Sequence, residues 1–434
     1  MYIDKVRLTN IRGFKELEFS FGRADGSYAG WTVFTGDNGA GKSTLLKAIA
    51  IALTGADTAR ALQPSFHRWI SHGESHAVIE LEVAQSTSDD AYVEGGRTPV
   101  SGKFPVCLSL IAGTKDPVLT SQKPPSKTSV KTYQTPQRTI WSTESNGWFS
   151  CGYGPFRRVF GASPEAMRQM VAPATERFVT MFQEAASLAE VDQWLRNLSH
   201  KKLENKPMEK QQLEQLLEIL GDELLPNLIT IDRVDSDGLW LKDRHGVELA
   251  WGEMSDGYRA ALALLADILR HLISAYGIEG LTARGTDGVL RVVRSGVVLI
   301  DEIDAHLHPE WQREIGFWLK KHFPKIQFLV TSHSPLICQA ADPNGLFVLP
   351  EPGSDVPARA LTPEEYREVI SSRPDTILRS AAFGLPNTRS DKAVEARAGY
   401  ARLKAKERAG AKLSRDELEQ LGQLSLFVNP AEEP

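Results

Sequence analysis

Residues 36–43 read Gly36-Asp37-Asn38-Gly39-Ala40-Gly41-Lys42-Ser43, a complete G-x-x-x-x-G-K-S run. Glycines at this spacing leave backbone N–H groups free to point at phosphate oxygens, and a helix starting at the end of the run adds positive potential. Such a loop places Lys42 to reach the β and γ phosphates of a nucleoside triphosphate and the Ser43 hydroxyl to ligate Mg²⁺. Two later segments fit the same chemistry. VVLIDE (297–302) is four apolar residues followed by two carboxylates. A buried strand there carries Asp301 to the metal shell and leaves Glu302 to orient and deprotonate an attacking water. His333 follows the apolar FLVTS, where an imidazole is placed to contact the γ-phosphate and sense its loss. A fourth piece, Ser255-Asp256-Gly257, opens a helical stretch. It reads either as a plain N-cap or as an anion site built from free N–H groups.

These residues need elements to hold them. WTVFT (31–35) reads as the strand before the phosphate loop and LLKAIAIAL (45–53) as the helix after it, the order the motif requires. Residues 2–9 and 17–21 read as short strands, and VIELEV (78–83) alternates in period two. Ser, Thr, Pro, Gly and Lys then dominate 86–138, with a strand at VCLSLI (106–111) and a mobile polar stretch near 121–137. From 163, PEAMRQMVAPATERFV, LAEVDQWLRNL and EKQQLEQLLEILGDELL predict an α-helical lobe reaching about 225. Residues 228–250 read as a hairpin or meander, 255–276 as a long helix, PEWQREIGFWLKKHF (309–323) as a helix and IQFLVTS (326–332) as a strand. Residues 350–360 are Pro-rich and read as a linker, and the charged tail from 391 as helical, ending in the disordered-looking NPAEEP.

The expected fold is α/β: a P-loop NTPase head with an antiparallel β insertion and an α-helical lobe. Its expected divisions are 1–85 (N-terminal lobe with the phosphate loop), 86–150 (β insertion), 151–227 (helical lobe), 228–349 (C-terminal lobe) and 350–434 (helical tail).

With 50 Lys and Arg against 55 Asp and Glu, the net charge is −5, which excludes a strongly basic nucleic-acid binder overall while leaving room for a local basic patch. Three scattered cysteines, Cys107, Cys151 and Cys338, make neither a disulfide framework nor a zinc site. His67, His72 and His76 match no common zinc spacing and read as loop histidines. Asp235-Ser236-Asp237 reads as a turn before Gly238 rather than a metal pair. The Lys-rich 201–210 and the Arg- and Lys-bearing 389–415 read as solvated faces or as surfaces for nucleic acid or a partner. With no signal segment and no long apolar run, a soluble, cytoplasmic protein with no membrane partner is expected.

Taken together, LTNIRGFKELEF, GDNGAGKST, MSDGYR, VVLIDE and His333 resemble the ABC-type ATPases of the SMC, Rad50 and RecF-like group. IDEIDAHLHPEWQ with SHSPLI, and the segments GYGPFRR and FQEAASLAEVDQWLRNL, look more specifically like the compact ATPases related to the OLD proteins. The resemblance implies ATP and Mg²⁺ as ligands. Gly36, Asn38, Gly39, Gly41, Lys42, Ser43 and Thr44 would form the Walker A site and Arg12 would be a basic residue beside the nucleotide. Ser43 and Asp301 would be metal ligands, Glu302 and His333 the Walker B glutamate and switch histidine, and Ser255, Asp256 and Gly257 the signature, in a form that departs from LSGGQ. It also implies a homodimer or higher homo-oligomer in which each signature caps the partner's ATP, with Ile303–His306 lining the interface. Gln169 and Gln183 are candidates for the Q-loop glutamine.

The short stretch between Ser43 and Ser255 leaves no room for long coiled-coil arms, and no Asp-x-Asp pair or histidine follows His333 to build a Toprim or HNH nuclease. The expectation is therefore an ATPase serving as sensor or regulatory subunit for a separate nuclease or toxin chain. Compact relatives work in this way in antiphage defence systems such as Septu, PARIS and retrons. The alternatives are a RecF-like repair ATPase acting directly on DNA, and a scaffold that holds ATP without turnover; DNA or RNA stays open as a partner.

Overall fold

The computed structural model of the chain describes residues 1–91, 102–122, 135–142, 147–157, 173–184, 188–223, 225, 228–354 and 356–426. Most of the predicted polar stretch at 121–137 lies outside these residues. So do the first part of the helical run from Pro164, including Gln169, and the last residues of the tail.

The chain opens with a hairpin, β1 (Tyr2–Ile11) and β2 (Phe14–Ser20), followed by β3 (Gly30–Thr35) and helix α1 (Lys42–Leu62). In β1, Val6 and Leu8 are buried while Lys5 and Arg7 face outward, where Arg7 pairs with Glu18 of β2. This is the period-two pattern of a sheet with one wet face. Strands β4 (His76–Ala84), β5 (Lys103–Ile111) and β6 (Val118–Ser121) extend the same antiparallel sheet in the order β2-β1-β4-β5-β6. The predicted β insertion is thus continuous with the N-terminal hairpin.

Strand β7 (Ser150–Tyr153) leaves that sheet and joins another. A helical lobe follows, with α2 (Ala189–Leu203) and α3 (Pro207–Gly221). Then come a three-stranded meander, β8 (Thr230–Asp235), β9 (Gly238–Lys242) and β10 (Glu248–Ala250), and the long helix α4 (Asp256–Tyr276). A small ribbon, β11 (Thr282–Arg284) and β12 (Leu290–Val292), leads to β13 (Gly296–Ile300), α5 (Pro309–His322), β14 (Ile326–Thr331), β15 (Leu346–Val348) and β16 (Arg359–Ala360). The tail is helical: α6 (Pro363–Ser371), α7 (Asp391–Arg408) and α8 (Arg415–Ser425).

The second sheet runs β16-β15-β3-β14-β13-β7, parallel except for the edge strand β16. Every residue of β13 and β14 is buried, as strands covered on both faces require. Helix α1 packs between the two sheets, with Leu45, Leu46, Ile49 and Leu53 in a core shared with β1, β4 and β5. It continues well past the predicted Leu53 through a kink at Gly55, where φ is 82° and the Trp141 ring occupies the space a side chain would need. A second core on the other face of the parallel sheet gathers Trp31, Phe328, Trp318 and the apolar face of α4. Parallel strands deliver their C-terminal ends to one rim, where ligands bind in open α/β sheets. Here that rim collects the ends of β3, β13, β14, β15 and β7. Among the described residues no helix is long and apolar enough to cross a membrane.

Candidate nucleotide-binding site

At this rim lies a cavity of about 450 Å³. Asn38 to Thr44 of the loop after β3 line it, with Arg12, Gly13 and Phe14 from the β1–β2 turn, Glu302 after β13 and His333 after β14. Three separate segments singled out in the sequence therefore converge on one space. Gly39 and Gly41 take left-handed φ values of 83° and 95°, which turn the loop into the first turn of α1. Lys42 is buried, and its ammonium donates to the Gly36 carbonyl at 2.8 Å and the Asp37 carbonyl at 2.9 Å. Burial pulls its pKa below the usual lysine value, while Asp301, Glu302, Asp37 and Asp304 oppose that shift.

Arg12 has φ 50° and is fixed from two directions. Its guanidinium stacks over Trp69 at 4.6 Å and donates to the Thr44 hydroxyl at 3.2 Å. Its amide donates to the Trp69 carbonyl at 2.8 Å. The basic group is thus held at the N-terminal turn of α1.

Asp301 stands just past the end of β13, 1% exposed. The Thr331 hydroxyl donates to its carboxylate at 2.6 Å and accepts the Glu302 amide at 2.7 Å. Glu302 itself has φ 47°, and the turn continues to His306 at φ 67°. Positive φ at residues other than glycine is strained and clusters at functional sites. His333 is exposed between the buried Ser332 and Ser334. Ser334 caps the short helix Pro335–Cys338 and donates to Gln312 of α5 at 2.6 Å, and Gln312 in turn donates to the Leu307 carbonyl at 2.8 Å. The histidine's loop and the turn after Glu302 are therefore cross-linked.

Ser255, Asp256 and Gly257 do not line the cavity. Ser255 is the N-cap of α4 without a side-chain hydrogen bond, and Asp256 pairs with Arg259. Gly257 packs against the His306 carbonyl, which occupies the place of a side chain, and the Tyr258 ring meets that of Trp311 at 5.0 Å, tilted by 57°. Within one chain, this segment thus abuts the turn after Glu302 and not the phosphate loop. Gln183 ends a short helix, Val179–Phe182, and does not line the cavity.

Three features escaped sequence reasoning. Pro350–Ser354, read as linker, forms a wall of the cavity, with Pro352 over Gly39. The Leu349 carbonyl lies 2.7 Å from where a Cβ on Gly36 would stand. Thr331 and Gln312 tie the strand ends together. Arg157, inside GYGPFRR, is buried beneath the turn at 301–305. Only GYGPFRR carried a signal, a Gly-Pro strand exit followed by paired arginines.

A buried carboxylate and a helix-start hydroxyl are the donor set that fits Mg²⁺, which takes few protein ligands and fills its octahedron with phosphate oxygens and water. The strand–loop–helix geometry, the buried lysine and the carboxylate pair have the arrangement of a phosphate-binding loop on a mixed α/β head.

A family model described as an AAA domain matches residues 5–228, and a second AAA-domain model matches 169–339. The chain belongs to the AAA-domain family. The Septu protein PtuA of Bacillus mycoides (strain KBAB4) is 25% identical over 394 residues, covering 90% of this chain and 46% of that protein. The retron Ec83 probable ATPase of Escherichia coli is 41% identical over 107 residues, 25% of this chain and 18% of that protein. The chain spans less than half the length of these two relatives. The SMC head domain from Thermotoga maritima aligns with a TM-score of 0.43 at 14% identity, covering 83% of this chain and 98% of that one.

Proposed function

We propose that this protein binds and hydrolyses ATP with Mg²⁺, closes as a head-to-tail pair around two nucleotides, and regulates a separate nuclease or toxin chain in antiphage defence. The observation that carries the reading is the convergence of Lys42, Ser43, Glu302 and His333 on one cavity, with Asp301 buried behind it.

Lys42 and the N–H groups of the Gly39–Ser43 turn would hold the β and γ phosphates. Ser43 and Asp301 would hold Mg²⁺, which supplies charge neutralisation at the phosphate oxygens. Glu302, steadied through its amide by Thr331, would accept the proton of the attacking water, and His333 would contact the γ-phosphate. Ser255 and Gly257, away from the cavity of their own chain, would serve the partner's nucleotide, with Asp256 beside them. The similarity to a Septu protein and a retron ATPase supports the defence setting and an effector on another chain.

The test is steady-state phosphate release with size measurement of the Glu302→Gln variant in Mg-ATP. Turnover by the wild type with a dimer trapped in the variant is the expected result. A wild type that releases no phosphate, or a variant that stays monomeric at saturating ATP, overturns the reading. Stimulation of turnover by DNA would instead favour direct action on nucleic acid.

A further inference from the structure

A guanidinium has five N–H donors and no acceptor, so a buried arginine needs several oxygens around it. Arg157 is 5% exposed and finds them on one turn. Nη1 donates to the carbonyls of Asp301 at 2.9 Å and Gly154 at 3.2 Å. Nη2 donates to those of Glu302 at 2.9 Å, Ala305 at 3.3 Å and Ile303 at 3.4 Å. Four of these five carbonyls belong to the residues that carry the two site carboxylates and the turn after them.

A buried charge is a costly way to fill a core, and a well-packed apolar side chain would stabilise the fold as well or better. The turn it supports, however, carries backbone strain that its own hydrogen bonds must oppose. Glu302 and His306 sit at φ 47° and 67°, strained for side-chain-bearing residues. The carbonyls of Asp301, Glu302, Ile303 and Ala305 converge on Arg157 as a cluster of negative dipole ends. A cation at their focus makes that arrangement the favoured one. Burial lowers the Arg157 pKa to about 10, with Asp304, Asp301 and Glu302 opposing the shift, so the group stays charged at neutral pH.

Arg157 also has an upstream connection. It follows β7 by three residues of loop, and the last residue of β7, Tyr153, donates its hydroxyl to buried Asp267 of α4 at 2.9 Å. The Tyr153 carbonyl accepts the Asp301 amide at 2.8 Å. The helix that begins at the signature, the strand β7 and the hydrolytic turn thus form one bonded series ending on this guanidinium.

We propose that Arg157 is the positioning residue of the hydrolytic turn, holding the 301–305 carbonyls so that the Glu302 carboxylate faces the nucleotide cavity. It touches no substrate and acts through Glu302. The proposal rests on the hydrolysis reading for its kinetic test but not for its structural one.

The experiment compares full-length wild type, Arg157→Lys and Arg157→Ala. ATP affinity is read with a fluorescent ATP analogue, kcat by phosphate release, and amide exchange of the 300–308 segment by mass spectrometry. Expected are nearly unchanged ATP affinity, a kcat fall of about 10²-fold from misplacement of the general base, and faster exchange at Ala305 and Leu307. The amides of these two residues bond to the Glu302 and Asp304 carbonyls. Free guanidinium ion at millimolar concentration should restore turnover to Arg157→Ala. Arg157→Lys keeps the charge but not the fork, so it should fold and still lose kcat. Unaltered exchange across 300–308 in both variants overturns the proposal whether or not the protein hydrolyses ATP. Wild-type kcat in Arg157→Lys together with unaltered exchange does so too. Absence of wild-type turnover with faster exchange in the variants removes the ATPase reading and leaves the positioning role standing.

Discussion

The Thr331 hydroxyl donates to the Asp301 carboxylate across 2.6 Å, from the neighbouring parallel strand. The same oxygen accepts the Glu302 amide, so one hydroxyl ties the strand end to the residue that follows it. Thr331→Val keeps the shape and removes both bonds, leaving a buried carboxylate oxygen and an amide unsatisfied at about 1–3 kcal/mol each. A clear drop in melting temperature and weaker Mg²⁺-dependent ATP binding are expected, with Thr331→Ser close to wild type. Equal Mg-ATP titrations for Val and Thr would show that this hydroxyl does not set the metal carboxylate.

Lys42→Ala should weaken ATP binding by roughly 10²-fold or more, the scale of a lost charge-assisted contact. Equilibrium binding of a labelled nucleotide checks this. Tight binding in the variant would mean that the ammonium, though held over the loop by Gly36 and Asp37, takes no part in gripping phosphate.

Glu302→Gln should keep ATP affinity and lose turnover by about 10²–10⁴-fold, the contribution of a positioned general base. The nucleotide-bound dimer should then accumulate on size-exclusion chromatography. Undiminished phosphate release would move the water-activating role to another residue.

Ser255→Arg replaces an exposed N-cap side chain that makes no hydrogen bond within its own chain. Turnover should fall while ATP binding to the phosphate loop persists. Mixing Ser255→Arg with Lys42→Ala, each inactive alone, should recover roughly a quarter of wild-type turnover, because half of the dimers then hold one intact composite site of two. No recovery on mixing would argue against sites shared between copies.

Glu190 offers a pH test away from the cavity. Burial, then the neighbouring Glu176, pushes its carboxyl up to about 7, against the pull of Arg270 at 3.7 Å. An acid whose folded pKa is raised contributes stability below its unfolded value of 4.5 and loses it as pH climbs through 7. Glu190→Gln should therefore melt like wild type near pH 4.5 and progressively higher above it. The gain should be about 1 kcal/mol or less, since 44% of the side chain is exposed to screening water. A melting-temperature difference independent of pH would remove this role.

The strand, loop and helix around the motifs were legible because each motif joins a local geometry to a residue type that favours it. GDNGAGKS needs its glycines for the turn, and VVLIDE reads as a buried strand ending in acid, as β13 is. What escaped is non-local. The partners of Arg157 are carbonyls, which every residue has, so no residue pattern announces them. Pro350–Ser354 has the composition of a linker, and only the parallel pairing of β15 with β3 brings it beside the phosphate loop. Helix α1 resumes after the kink at Gly55, where the Trp141 ring fills the space a side chain would need, a contact between distant segments that a propensity reading does not contain.

The pairing of β15 with β3 has a mechanical consequence. A segment far from Gly36 along the chain becomes its immediate neighbour in space, with the Leu349 carbonyl seated against it. Displacement of α6 is passed to the cavity wall through the residues after Leu349, and to the segment after His333 through the bonds of Tyr366 to the Ala341 carbonyl and of Gln339 to the Ser372 carbonyl. A binding partner that seized that helix would be pulling on a lever whose short arm rests on the wall of the cavity.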